Sequence, residues 1–228
     1  MLSCRPDQLM IVIPAKDECH SIAGVIADLR AQSQASIVVV DDGSVDETAQ
    51  ICSELNVVCI RHAYSLGAWR AIQTGFRYAV KQKMKYVVTF DADGQHKASE
   101  IHKLMNVMST KKSDVVIGSC LTRGDNKRHL AWWLFRKLTG LSIKDITSGF
   151  RLYNSASFER LSLRDATLFD YQDLGILLLL RQQGLSFVET DVDMDERHTG
   201  ESKIFGSWLR VFEYFLITLV IGIAKNKK

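Results

Sequence analysis

Tyr86-Val87-Val88-Thr89-Phe90-Asp91-Ala92-Asp93-Gly94-Gln95-His96 runs from a mostly apolar stretch straight into two carboxylates. Tyr86 to Phe90 reads as a buried strand, and Asp91 and Asp93 stand at its mouth. Successive strand residues alternate sides, so both carboxylates are expected to project to one side wherever strand geometry persists. Ala92 turns away, and Gly94 lets the chain bend sharply. Two hard oxygen donors on one side suit Mg²⁺ or Mn²⁺, which take one or two carboxylates and complete their shells with water and substrate phosphate. An ordinary Asp/Gly turn after a strand would carry the same residues, so the weight falls on their surroundings.

Outward from this stretch, strands and helices alternate. Ile11 to Ala15 is a strand that enters Pro14-Ala15-Lys16-Asp17-Glu18, and Ile22, Val25, Ile26 and Leu29 follow at helical spacing. Ile37 to Val40 is a β-branched run ending in Asp41-Asp42-Gly43-Ser44. Asp46 then reads as the N-cap of a helix opening at Thr48 and Ala49 and running through Leu55. Val57 to Ile60 is a third strand, Ala71 to Lys81 a third helix and Tyr86 to Phe90 the fourth strand. Lys97 to Met108 is a helix with Ile101, Leu104, Met105 and Met108 on one face; Val115 to Ile117 and Ser186 to Val192 are further strands. This alternation predicts βαβ units and a mainly parallel sheet covered on both faces. Ligands of such sheets bind beyond the carboxyl ends of the strands, where Pro14, Asp41, Asp42, Asp91 and Asp93 all fall.

With 228 residues, 46% of them apolar, the chain suffices for one α/β domain, assigned to residues 1–204, with a tail at 205–228. A formal net charge of +3 is too small to argue for nucleic acid. Cys4, Cys19, Cys52, Cys59 and Cys120 show no C-x-x-C spacing and no secretory signal precedes them, which predicts reduced thiols in a cytosolic protein.

Five motifs stand in a telling order: Pro14 to Glu18, Val40 to Ser44, Asp91 to His96, Asp145-Ile146-Thr147-Ser148-Gly149-Phe150-Arg151, and Arg197-His198-Thr199-Gly200-Glu201-Ser202-Lys203. Together they resemble the family 2 glycosyltransferases of the GT-A fold, a Rossmann-like three-layer sandwich, and most of all the dolichyl- or polyprenyl-phosphate sugar synthases. The resemblance implies an inverting transferase that uses a nucleotide-diphosphate sugar and Mg²⁺ or Mn²⁺. It implies metal contacts from Asp91, Asp93 and Gln95, the last of which reads equally well as a polar turn residue. Nucleotide-sugar contacts would come from Pro14, Ala15, Glu18, Asp41, Asp42, Asp91, Ala92, Asp93, Arg197, Ser202 and Lys203. Asp93, Asp173 and Arg151 would serve the chemistry.

The residues support these roles in chemical terms. A glycine between Arg197 and Lys203 lets a fork-like guanidinium and a point ammonium face one diphosphate, although a solvated basic loop has the same composition. Carboxylates at Asp41 and Asp42 accept from a base N–H or a ribose hydroxyl, or else form an Asx-type turn. Glu18 also suits the first turn of a helix. His96 reads as a turn or supporting residue, because hard cations prefer oxygen.

On the acceptor side, Ser148-Gly149 allows a tight turn and Arg151 is expected to meet a phosphate. Asp173, with Asp170 second, is the candidate general base for a sugar-hydroxyl acceptor, unless either caps the apolar run Leu174 to Leu180 as a helix. A polyprenyl phosphate needs no base, and cations at Arg123, Lys127, Arg128 or Arg151 would then matter more. The uncharged run Tyr214 to Ala224 is short of the ~20 residues of a spanning helix. With Trp208, Phe212, Phe215 and Lys225 to Lys228 it suits an amphipathic helix on a membrane surface. Leu130, Trp132, Trp133, Leu134, Phe135 and Lys137 form a second candidate contact; the alternative for both segments is packing on the domain, a homo-oligomer seam or a membrane-protein partner. These features predict a cytoplasmic protein held peripherally on the cytoplasmic face of a membrane, with a polyprenyl phosphate or glycan as acceptor.

Two departures stand out from the resemblance. Trp69 and Arg70 occupy positions where small residues are common, and Cys120 replaces a frequent arginine. A nucleotidyltransferase would carry a Gly-rich basic loop after the first strand, and Pro14 to Glu18 offers none. An inactive sugar-nucleotide-binding relative would have lost Asp91, Asp93 or Arg197, and all three are present.

Overall fold

The computed structural model describes residues 6–120, 143, 145, 148–168 and 174–195. Its strands are β1 (Leu9–Ala15), β2 (Ser36–Asp41), β3 (Val58–Arg61), β4 (Tyr86–Thr89), β5 (Val115–Ser119), β6 (Arg151–Asn154) and β7 (Phe187–Asp191). Its α-helices are α1 (Ile22–Gln32), α2 (Thr48–Glu54), α3 (Ala68–Lys81), α4 (Ile101–Lys111), α5 (Ser155–Leu161) and α6 (Leu174–Gln182). The sheet order is β3-β2-β1-β4-β6-β5-β7. Pairing is parallel throughout except at β6, which runs antiparallel to both β4 and β5. The expected mainly parallel sheet is therefore present, with one reversed strand of four residues, too short for its alternation to stand out in the sequence.

Alternation along β1 sends its side chains into two separate cores. Met10 and Val12 pack with Trp69 and Phe76 of α3, Phe158 of α5 and Leu177 of α6. Leu9, Ile11 and Ile13 pack with Ile22, Ile26 and Leu29 of α1, Cys52 of α2 and Leu104 of α4. The result is three layers, with α1, α2 and α4 on one face and α3, α5 and α6 on the other. No helix of the described residues is long and apolar enough to cross a membrane. The tail at 205–228 lies outside the described residues.

Because β1, β2, β4, β5 and β7 run the same way, their carboxyl ends share one rim. Reversed β6 starts at that rim, so the residues preceding Arg151 join it. One expectation needs correction here. β4 ends at Thr89, and residues 92–94 form a turn with Gly94 at φ +76°, so strand alternation does not extend to Asp91 and Asp93. The turn, not the pleat, sets their directions.

Candidate active site

The loops after β1 and β2 are stitched to each other. The Asp17 amide donates to Ser44 Oγ at 2.9 Å, the Glu18 amide to Thr48 Oγ1 at 2.9 Å and the Cys19 amide to Asp46 Oδ2 at 3.0 Å. In return, the Val45 amide donates to Asp17 Oδ1 at 2.9 Å. Asp46 also accepts from the Thr48 amide at 3.0 Å and hydroxyl at 2.5 Å, which supports the start of α2, but the N-cap position belongs to Glu47 and not, as expected, to Asp46. Burial opposes ionisation of Asp46, but the bonds from Thr48 and Cys19 outweigh it and hold its carboxyl at about 2. Glu18 stands before α1 rather than in its first turn, and its Oε2 accepts from Ser21 Oγ at 2.9 Å. Pro14 is half-buried and Ala15 buried at the end of β1.

Asp41 and Asp42 are turned inward. Asp41 has no exposed surface; its Oδ1 accepts from the Ser44 amide at 2.9 Å and its Oδ2 pairs with Arg61 Nε at 3.1 Å. Asp42 accepts from His62 Nδ1 at 2.8 Å, Ser65 Oγ at 2.7 Å, and the Leu66 and Gly67 amides at 2.8 Å each. Burial opposes its ionisation, and those four donors together hold the carboxyl below the usual range. A carboxylate has about four lone-pair sites, and the protein fills all four on Asp42. Both carboxylates thus have a structural role in the folded chain. Asp41 makes the Asx-type turn, and Asp42 fixes residues 62–67 and the start of α3.

The carboxylate turn is more open. Asp91 retains 37% side-chain exposure. Its amide donates to His96 Nδ1 at 3.1 Å, which leaves the ring proton on Nε2, 3.4 Å from Asp91 Oδ2. The imidazole is stacked on Phe150 at 5.0 Å and meets the edge of Phe90 at 5.2 Å. His96 is thus a buried support for Asp91. Asp93 Oδ1 accepts from the Gln95 amide at 3.1 Å, closing the turn. Gln95 is mostly buried and Ala92 is packed into the core.

Residues from distant parts of the chain meet at this turn. A Cβ at Gly149 would lie 2.8 Å from Asp91 Oδ1 and 2.9 Å from Oδ2, so the backbone there lies directly against the carboxylate. Thr89 Oγ1 donates to the Gly149 carbonyl at 2.6 Å, and Ser148 Oγ to the Gly118 carbonyl at 2.5 Å. Buried Asp145 is held by its amide donating to Glu189 Oε1 at 2.6 Å. From the other side, the Asp195 amide donates to the Gln95 carbonyl at 2.8 Å, His96 bridges to Met194, and Lys97 Nζ pairs with Asp195 Oδ1 at 3.0 Å. The chain is then two residues short of Arg197.

Arg151 lies inside the domain. It has no exposed surface, and its Nε donates to the Ser148 carbonyl at 2.8 Å. Alternation in β6 turns it to the Tyr153 side, toward the layer of α3, α5 and α6. From this position Arg151 shapes the Ser148 turn. Cys120 is buried with its amide 3.5 Å from Asp145 Oδ2. Asp170, Asp173, Arg197, Ser202, Lys203, the cations Arg123, Lys127 and Arg128, and the segment around Trp132 lie outside the described residues. Sequence reasoning missed the contributions of His62 and Ser65 to Asp42 and of Asp195 to the carboxylate turn, because each acts across a long chain separation without a local signal.

No group of three or more His, Cys, Asp or Glu residues converges among the described residues. The arrangement still fits a hard cation such as Mg²⁺, which needs only one or two carboxylates besides water and phosphate. Asp91 and Asp93 would supply these oxygens from a partly exposed turn backed by Gly149, with Gln95 beside them.

The comparisons with known proteins agree with this geometry. The model of Glycosyl transferase family 2 matches residues 10–165. Polyprenol monophosphomannose synthase of Mycolicibacterium smegmatis is 30% identical, covering 90% of this chain and 84% of that protein. Undecaprenyl-phosphate mannosyltransferase of Micrococcus luteus is 26% identical, covering 87% and 88%. An uncharacterized protein of Methanocaldococcus jannaschii is 36% identical over 113 residues, and the chain covers 46% of its length. Among solved structures, glucosyl-3-phosphoglycerate synthase from Mycobacterium tuberculosis, in complex with Mn²⁺, uridine diphosphate and phosphoglyceric acid, has a TM-score of 0.69 at 16% identity, covering 93% of this chain and 78% of that one. That likeness shows the fold, the GT-A arrangement expected from the motifs. Since the family model spans well over half of the chain and a relative aligns along nine tenths of it, the protein belongs to glycosyl transferase family 2.

Proposed function

We propose that the protein transfers a sugar, with inversion, from a nucleotide-diphosphate sugar to a polyprenyl phosphate at a membrane surface. The observation that carries this reading is the docking of residues 194–195, which precede Arg197 in the sequence, on the carboxylate turn. The names of two relatives aligned along most of the chain, a polyprenol monophosphomannose synthase and an undecaprenyl-phosphate mannosyltransferase, favour the lipid-phosphate acceptor.

In this reading Asp91, Asp93 and Gln95 hold Mg²⁺ or Mn²⁺, which when bound offsets the charge gathering on the departing diphosphate. Arg197 and Lys203 grip the diphosphate oxygens, with Ser202 donating beside them. Pro14, Ala15, Glu18 and Ala92 line the donor side. The acceptor phosphate oxygen attacks the anomeric carbon from the face opposite the leaving group. Being an anion already, it has no proton to surrender, so Asp173 is not required as a base. His96 and Gly149 keep Asp91 in register. The tail at 205–228 serves as an amphipathic anchor on the cytoplasmic face of the membrane.

Asp173→Asn separates the acceptors. With undecaprenyl phosphate in vesicles, appreciable turnover is expected, whereas a hydroxyl acceptor would lose about two to four orders of magnitude with its base. Turnover on a soluble glycan with none on lipid phosphate would overturn the reading. Removing Trp208 to Lys228 is expected to release the protein from anionic vesicles while nucleotide binding persists.

A further inference from the structure

Thr89 closes β4 with a hydroxyl where the strand pattern calls for an apolar side chain. Alternation puts it on the same side as Val87, beside Val12 of β1, in the layer covered by α3, and it is buried there. A buried hydroxyl costs free energy unless it is bonded. Thr89 Oγ1 donates to the Gly149 carbonyl at 2.6 Å and lies 3.4 Å from the Arg151 carbonyl.

The ladder between β4 and β6 ends at the pair Thr89 and Arg151. Gly149 stands two residues before Arg151, past that last pair, so the threonine hydroxyl carries the grip of β4 beyond the strand. The other flank of the turn is tied to β5: Ser148 Oγ donates to the Gly118 carbonyl at 2.5 Å, and the Gly118 amide donates to the Phe150 carbonyl at 2.9 Å. A Cβ on Gly118 would lie 2.8 Å from Phe150 Cδ1, so the phenylalanine ring rests directly on β5.

Residues 149 and 150 meet the Asp91 carboxylate by two routes. Gly149 lies against both of its oxygens, and Phe150 stacks on His96, whose Nε2 is 3.4 Å from Asp91 Oδ2. Withdrawal of the Gly149 carbonyl from Thr89 would open space beside the carboxylate and let it rotate. A cation such as Mg²⁺ demands near-octahedral oxygens at about 2.0–2.1 Å, so a misdirected carboxylate binds it less well.

We propose that Thr89 is a positioning residue for the metal carboxylate: by holding the Gly149 carbonyl, its hydroxyl keeps the glycine backbone against Asp91 and fixes the direction of the Asp91 oxygens. The inference rests on the reading above in which Asp91 and Asp93 hold Mg²⁺ or Mn²⁺. Thr89 touches neither metal nor substrate in this scheme and acts through Gly149 alone.

Thr89→Val tests this, because valine keeps a β-branched side chain in the strand and deletes the donor. In the full chain with UDP or GDP present, the dissociation constant for Mn²⁺ is read from the paramagnetic resonance of the free ion. It is expected to rise about tenfold, the lower end of the usual effect of partners that orient metal ligands. Nucleoside binding without metal is expected to stay within about twofold. Thr89→Ser keeps the hydroxyl and is expected to restore most of the Mn²⁺ affinity. Thr89→Cys, a weak donor, carries the same test should the valine variant fail to fold, with a loss between those of serine and valine. Ser157→Ala is the control for general loosening, since it removes a buried hydroxyl bonded to the Asp114 carbonyl at 3.1 Å at the opposite end of the sheet, and Mn²⁺ affinity is expected to stay unchanged. Unchanged Mn²⁺ affinity in Thr89→Val, no rescue by Thr89→Ser, or an equal loss in Ser157→Ala would each overturn the proposal. None of these measurements needs an acceptor, so a failure of the unsubstituted protein to use lipid phosphate would count against the acceptor reading alone. Failure of the unsubstituted protein to bind Mn²⁺ at all would remove the metal reading, and the role of Thr89 with it.

Discussion

Gly149 lies against Asp91 so closely that a single added carbon would stand 2.8 Å from the carboxylate oxygen Oδ1. The antiparallel pairing of β6 with β4 fixes this approach, with Arg151 opposite Thr89. Gly149→Ala is therefore expected to push the carboxylate aside. Metal-dependent turnover should fall about tenfold or more, the effect of a small misplacement at a reacting centre, while the thermal midpoint moves little. Titration of activity with Mn²⁺, alongside a melting curve, checks this; full activity at unchanged metal demand would show that Asp91 does not hold the metal.

His96→Ala removes the ring that receives the Asp91 amide and faces its carboxylate. Partners that orient metal ligands typically contribute about 10- to 100-fold in affinity, and a rise of that size in the Mn²⁺ concentration for half-maximal activity is expected. His96→Phe is the control, since it keeps the packing on Phe150 without the nitrogen. A normal Mn²⁺ requirement in both variants would reduce His96 to a packing residue.

Arg197→Ala is expected to weaken binding of a nucleotide diphosphate about tenfold or more, since a charge-assisted bond to phosphate is lost, and to leave nucleoside binding unchanged. Isothermal titration with UDP or GDP against the matching nucleoside reads the difference. Equal weakening of both would assign Arg197 to the base or to folding.

Asp46 offers a prediction in pH. Its carboxyl is held at about 2 in the folded protein against an ordinary 3.8, so the unfolded chain takes up the proton first as the medium is acidified. Its stabilising contribution is full above about 3.8 and fades as pH falls through about 2. Asp46→Ala is expected to lose about 1 kcal/mol near neutrality, the usual worth of a helix-start acceptor, with the gap to the parent protein closing in acid. Urea melts across that range check it; a gap independent of pH would mean that the charge contributes nothing.

Much of the α/β frame was legible because each strand and helix carries its own period: the helical spacing of Ile22, Val25, Ile26 and Leu29, and the β-branched run Ile37 to Val40. Strand β6 was not, because its four residues include a buried arginine whose place depends on Ser148 and on the neighbours of the sheet. At the candidate site, the spacing of Asp91 and Asp93 was visible but their geometry was not, because a turn replaces the pleat after Thr89. Asp42 was the subtler case. Its type and position suggested a ligand contact, while four donors from residues 62–67, some twenty residues away, engage both of its oxygens.

The reversal of β6 also bears on loop length. Chain leaves the sheet at Ser119 and returns at Arg151 on the same rim, and the two flanks are tied together where the Cys120 amide approaches Asp145 and Ser148 grips Gly118. An excursion that departs and re-enters at one border imposes almost no length requirement on the scaffold, because closing a longer loop adds only about 0.6 kcal/mol per doubling. The flanks at Ser119 and Arg151, and not the number of residues between them, therefore fix how β5 and β6 meet the rim, so a change of length there costs β1, β2 and β4 little.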